Sequence, residues 1–181
     1  METERELLDA IRKGERAAMH RLYDRYSKYA MAIGLRYIPN RDDMRDVLQD
    51  SFVKIITNIG HFDYRGEGSL KSWVSRIVAN QAINYIRDRE RFHFTDEMPD
   101  DRIDEEPDIG EVPDKVLDGL IGQLPANYRV VLNLFVFEQL SHREIAQQLG
   151  ISEKNSATQF FRAKRALQKM IIEYKQKRQR I

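Results

Sequence analysis

The chain has 181 residues, with 30 Lys and Arg against 29 Asp and Glu, and a formal net charge of +1. Its 41% hydrophobic content suits one ordinary domain or two small ones and excludes wholesale disorder. It has no cysteine, which excludes disulfides, thiol catalysis and Cys-ligated metal, and its four histidines (His20, His61, His93, His142) share no metal-ligand spacing.

No segment alternates with the period of a strand, and helical spacing runs throughout, so the expected fold class is all-α. Leu7, Leu8 and Ile11 mark a short first helix. Ala18, Met19, Leu22, Tyr26, Tyr29, Ala30 and Ile33 mark a second, which Pro39 and Asn40 break. Met44, Val47, Leu48, Phe52, Ile55, Ile56 and Ile59 form the stripe of a third. A loop with Gly66 and Gly68 spans 61–69, and a fourth helix runs from about Leu70 to Arg89. Pro125 stands near the start of a later helix, with Val130, Val131, Leu134, Phe135 and Leu140 as its apolar face. Two more helices follow. No apolar run approaches the roughly 20 residues that span a bilayer. The start METERELLDA is unlike a signal peptide, so a cytoplasmic protein without membrane insertion is expected.

The near-neutral total hides a charge asymmetry. Residues 93–118 hold 11 acidic and 2 basic side chains, whereas 142–181 hold 10 basic and 3 acidic. The acidic block also carries Pro99, Pro107, Gly110 and Pro113, a composition that suits a linker. The expected organisation is a domain over 1–92, an acidic flexible linker over 93–118 and a second domain over 119–181. Asp100, Asp101, Asp104, Glu105 and Glu106 serve either as a self-repelling spacer or as a mimic of nucleic acid in a positive cleft.

The sharpest local signal lies in the second domain. Ser141 and Glu144 have the S-x-x-E spacing of a capping box. Gly150 follows where a left-handed residue is wanted, and Ser152 can cap the next helix. A short helix, a Gly turn and a longer helix make a helix-turn-helix. On the wheel of the second helix, Phe160, Ala163, Lys164, Leu167, Met170, Ile171 and Tyr174 cluster on one side. Thr158, Arg162, Arg165 and Lys169 lie opposite. The basic face either reads DNA or is an ordinary solvated surface.

On the fourth helix, Arg76, Asn80, Asn84 and Arg87 recur on one polar arc, with Trp73, the sole tryptophan, beside it. The indole either stacks an unpaired base or closes the core edge, and the Gly66–Gly68 loop is either a connector or a pocket for a flipped base. Asp42, Asp43, Asp46 and Asp50 open the third helix. They answer to the helix dipole, to docking on a partner, or to Mg²⁺, although no phosphate-cradling loop accompanies them.

Two blocks together resemble one family. The run from Asp43 to Phe52 (DMRDVLQDSF), followed by Ser69 to Arg87 (SLKSWVSRIVANQAINYIR), looks like region 2 of bacterial extracytoplasmic-function RNA polymerase sigma factors. LPANYR at Leu124–Arg129, LSHREIA at Leu140–Ala146, LGISE at Leu149–Glu153 and FRAKRAL at Phe161–Leu167 look like their region 4. The order matches and nearly the whole chain is covered. The chain departs at Leu70, where an aromatic is common, at Asn84, where Asp is common, and at the run from Lys154 to Ala157.

The resemblance implies a region 2-like bundle and a region 4-like helix-turn-helix acting with core RNA polymerase on promoter DNA. It implies polymerase-clamp contacts at Asp46, Gln49, Asp50 and Phe52, and docking of the second domain on the polymerase flap. It maps −10 element recognition and melting to Lys71, Trp73, Arg76, Asn80, Asn84 and Arg87. It maps −35 contacts to His142, Arg143, Thr158, Gln159, Phe161 and Arg162. An anti-sigma factor is a further implied partner. No cofactor, metal or enzymatic activity is expected. The rival readings are a helix-turn-helix regulator acting on an operator without core polymerase, and an interaction adaptor that does not bind DNA.

Overall fold

The computed structural model describes residues 2–89 and 112–178. The chain divides after Arg89 into two compact units, and the described residues contain helices and no strand. The spacer or mimic role of the acidic residues 100–106 lies outside the described residues.

The first unit holds α1 (Glu4–Arg12), α2 (Arg16–Tyr37), α3 (Arg41–Asn58) and α4 (Ser69–Arg89), with one 3-10 turn at Ile59–His61. Thr3 and Glu6 close a capping box at the start of α1, and Leu7, Leu8 and Ile11 are buried beneath it. Asn40 caps α3 by accepting the N–H groups of Asp42 and Asp43 at 2.9 and 3.2 Å. Those two carboxylates sit at the positive end of the α3 dipole and pair with Arg45 (3.2 Å) and Arg89 (3.6 Å) respectively. Helices α2, α3 and α4 pack mutually around Leu22, Met44, Ile55, Leu70, Val74 and Val78. The α2–α3 crossing is close because Gly34 has no side chain; a Cβ there would overlap Sδ and Cε of Met44. Ile56, expected in the α3 stripe, is 41% exposed.

The second unit holds α5 (Asp114–Gly122), α6 (Ala126–Val136), α7 (His142–Leu149) and α8 (Glu153–Arg178). Helix α5 corrects the expected linker boundary, because residues 114–118 are helical rather than part of a spacer. Leu117 and Ile121 pack onto Leu124, Leu132 and Ala163, and that burial outweighs the acidic composition around them. Leu140 is not on the face of α6, which ends at Val136; it lies in the following turn, its N–H bonded to the Leu134 carbonyl at 3.0 Å. Arg129 is buried and donates to the carbonyls of Gly122 (3.1 Å) and Leu124 (2.6 Å). It thereby answers acceptors that the end of α5 leaves open.

Helix α7 has the expected capping box, with Ser141 accepting the Glu144 N–H and Glu144 accepting the Ser141 N–H. Gly150 ends it in the left-handed region at φ 69°, and Ser152 accepts the Asn155 N–H at 3.0 Å. Cap, turn and cap therefore form the helix-turn-helix that their spacing predicts.

Candidate nucleic-acid interface

In the first unit, an open cleft of about 340 Å³ lies between the 62–69 loop and the first turns of α4. Phe62 forms its back wall, with its ring centroid 5.0 Å from that of Trp73 and the planes tilted by 42°. Phe62 is buried and Trp73 is half-buried, and both line the cleft. His61, Arg65 and Arg76 surround the rings, and Asp63 pairs with Arg65 at 3.3 Å. Ser69 and Ser72 complete the rim. The Ser69 hydroxyl donates to the Gly66 carbonyl at 2.6 Å, and the Ser72 hydroxyl to that of Gly68 at 3.0 Å. Aromatic walls among cations suit a stacked, negatively charged nucleotide.

The polar arc of α4 divides between two clefts. Trp73 and Arg76 belong to the first. Asn84 and Arg87, hydrogen-bonded to each other, line a second of about 460 Å³ with Asp50, Lys54, Gln81, Tyr85 and Asp88. From Trp73 to Arg87 the arc extends about 21 Å. Asn80 is exposed between the two. Lys71 is exposed, and its ammonium lies 4.3 Å from the centroid of the Tyr29 ring, a cation–π contact that fixes its stem.

On α3, Asp46, Gln49 and Asp50 are exposed. Phe52 is not. It is 4% exposed and packs against Tyr23, with centroids 4.7 Å apart. The correction follows from helix geometry, since Phe52 falls on the Met44–Leu48–Ile55 side of α3. The apolar residue that does face outward beside Gln49 and Asp50 is Val53, 64% exposed. Ile56 flanks it on α3, and Tyr23 is exposed on α2.

In the second unit, Arg143 is exposed, and Phe161 and Arg162 are half-buried. His142 stacks on Phe135 with centroids 4.6 Å apart, approaches Phe160, and its Nδ1 lies 3.0 Å from the Ser156 hydroxyl. Burial pushes the His142 pKa down, with Glu153 opposing that shift. Thr158 and Gln159, both expected on the reading face, have no exposed surface. The Thr158 hydroxyl returns to the Lys154 carbonyl at 2.9 Å. The Gln159 amide accepts from Asn127 at 2.9 Å and donates to Asn155 at 3.1 Å. Lys164, expected on the packed side of α8, is exposed.

Residue types alone did not single out Phe62, His61 or Asp63 for the cleft, nor Val53 for the docking surface. An aromatic next to a Gly-bearing loop was the available signal for Phe62. For Val53 it was an apolar residue out of phase with the α3 stripe.

The Sigma-70 region 2 family model matches residues 22–92, and the Sigma-70 region 4 model matches residues 115–167. The chain is 25% identical to the ECF RNA polymerase sigma-E factor of Haemophilus influenzae, over 93% of this chain and 95% of the relative. It is 24% identical to the RNA polymerase sigma-H factor of Pseudomonas aeruginosa, over 94% of each. Its fold is similar to that of CnrH solved with the cytosolic domain of CnrY (TM-score 0.51, 22% identity, 95% of this chain and 99% of that one). It is also similar to that of RpoE of Bartonella quintana solved with the anti-sigma factor NepR (TM-score 0.52, 17% identity, 85% and 96%). Both sigma-70 regions therefore occur here, in family order and over most of the chain, and the chain belongs to the extracytoplasmic-function RNA polymerase sigma factors.

Proposed function

We propose that this chain binds core RNA polymerase in the cytoplasm and directs promoter-specific initiation, with its first unit capturing a −10 base and its second reading the −35 duplex. The observation that carries this reading is the Phe62–Trp73 cleft, rimmed by Arg65 and Arg76 and set on the same unit as the exposed α3 surface. Unpairing a base costs a few kcal/mol, and stacking it against Trp73 offsets part of that cost. The chain supplies binding energy and orientation, and the polymerase supplies the bond chemistry. Two weak units mounted on one polymerase gain from effective concentration, so neither needs tight affinity alone.

Within this reading the −35 contacts narrow to Arg143, Phe161 and Arg162, with His142 supporting the first helix of the motif from within. The polymerase surface comprises Asp46, Gln49, Asp50 and Val53, and the second unit docks on the flap. An anti-sigma factor is a further partner; the sigma factor RpoE of Bartonella quintana, which has a similar fold, was solved with the anti-sigma factor NepR.

The test is run-off transcription with purified core polymerase on a promoter library. A defined start site that depends on the added chain supports the proposal. Its absence, with operator binding retained by the chain alone, returns the regulator reading, and polymerase binding without DNA crosslinks returns the adaptor reading. On the promoter found, Arg162→Ala should lower transcription about tenfold while core affinity stays unchanged.

A further inference from the structure

Helix α1 caps α4, and the loop that precedes α4 caps α1 in return. Glu4, the first residue of α1, is 2% exposed. Its carboxylate accepts the N–H groups of Gly68 (2.8 Å), Leu70 (3.0 Å) and Lys71 (3.1 Å), and the hydroxyl of Tyr26 (2.8 Å). Those amides are donors that the start of α4 leaves without intrahelical partners. A residue some 65 positions away in sequence therefore acts as the cap of α4. The return contact comes from Glu67, whose carboxylate accepts the Glu4 N–H at 3.2 Å and pairs with Arg25 at 3.1 Å. Arg25 in turn donates to the Glu2 carbonyl at 2.8 Å.

At the other end of α1, Arg12 donates to the Phe62 carbonyl at 2.9 Å. Glu4 and Arg12 are separated by about 12 Å along the helix. They hold the two ends of the loop that carries Phe62, Asp63, Arg65 and Ser69 to the cleft. This loop contains Gly66 and Gly68, both at positive φ, and left to itself would sample many conformations. Helix α1 itself contributes no residue to the lining.

The chemistry at Glu4 requires a charge. A carboxylate offers only acceptors to four converging donors, whereas a carboxamide would turn an NH₂ toward some of them. Burial alone would raise the Glu4 pKa, but the Tyr26 hydroxyl and the three amides outweigh it and hold the group ionised.

We propose that α1 is the positioning element for base capture, with Glu4 and Arg12 holding the 62–69 loop in the geometry that receives the extruded −10 base. This rests on the reading of the Phe62–Trp73 cleft as the base site. Glu4 and Arg12 are positioning residues, because they act through the loop and do not touch the cleft. Preorganisation of this kind raises affinity by removing the ordering cost at the moment of binding.

The test uses holoenzyme assembled from core polymerase and the full chain. Its probes are four single-stranded oligonucleotides of the mapped −10 sequence that differ only at the extruded position and carry 2-aminopurine at the neighbouring base. Glu4→Gln should weaken capture about tenfold, and Arg12→Met several-fold, with core affinity changed less than about twofold. Both variants should also lose discrimination among the four bases at that position, which overall loosening of a still-folded unit without loop displacement would not cause. Arg12→Met leaves no buried charge unpaired and keeps the test meaningful if Glu4→Gln folds poorly. Wild-type capture and discrimination in both variants would overturn the proposal, as would losses of capture matched by equal losses of core affinity. Failure of the wild-type holoenzyme to capture the probe would instead overturn the base-site reading, and the role of α1 with it.

Discussion

Gln159 and Asn127 join α8 to α6 through a 2.9 Å hydrogen bond, and the side chain that the family resemblance placed among the −35 contacts is buried. The same amide bonds Asn155 at 3.1 Å. Gln159→Leu would remove one hydrogen bond from each of Asn127 and Asn155. The expected cost is about 1–3 kcal/mol of stability in the second unit. Thermal unfolding would register it as a lower Tm. Promoter selectivity at temperatures where the variant is folded should be unchanged, and an altered −35 preference would return Gln159 to the reading face.

Trp73 stands on Phe62 at the mouth of the cleft. Trp73→Ala removes the stacking platform, worth about 1–3 kcal/mol per base. Open complexes should fall by roughly tenfold or more, and closed complexes by much less. Permanganate footprinting against gel-shift measurements separates the two. Equal losses would make Trp73 a structural residue.

Val53 is exposed between Gln49 and Ile56, while Phe52 beside it is buried. Val53→Glu should fold normally, because the side chain leaves no cavity. It should weaken core polymerase binding by about 2 kcal/mol if Val53 is an anchor of the interface. Phe52→Ala should instead lower stability by about 3–5 kcal/mol, since it empties a core position. Core-binding titrations and thermal melts of the two variants should therefore give opposite patterns.

His142 stacks on Phe135 and approaches Phe160, and burial lowers its pKa despite the opposing Glu153 carboxylate. The unfolded chain then binds a proton more readily than the folded one. The stability linked to this group is fully present above the ordinary histidine range, near pH 6.5, and is lost as pH falls through the lower folded value. Melts between pH 7.5 and about 5 should show the second unit weakening on acidification. His142→Phe should flatten that dependence.

The amino-acid sequence by itself determined whatever depends on neighbours in the chain. The capping box of Ser141 and Glu144, the left-handed Gly150 and the Ser152 cap all formed as their spacing predicts, because each involves residues within a turn of one another. The same locality made the apolar stripes of α1 and α2 legible. Helix α5 was obscured because its first residues share the acidic composition of the preceding block, although its apolar positions carry the helical pattern.

Only the tertiary structure decided which side of each amphipathic helix met a neighbour, and which polar groups closed on one another at long range. Phe52 and Gln159 turned inward because Tyr23 and Asn127 come from other helices. Glu4 reads as an ordinary charged residue at a helix start until the fold brings the open amides of α4 to it. A wheel records the angle of a side chain about its own axis, whereas burial and hydrogen-bond closure depend on partners that approach from elsewhere in the chain.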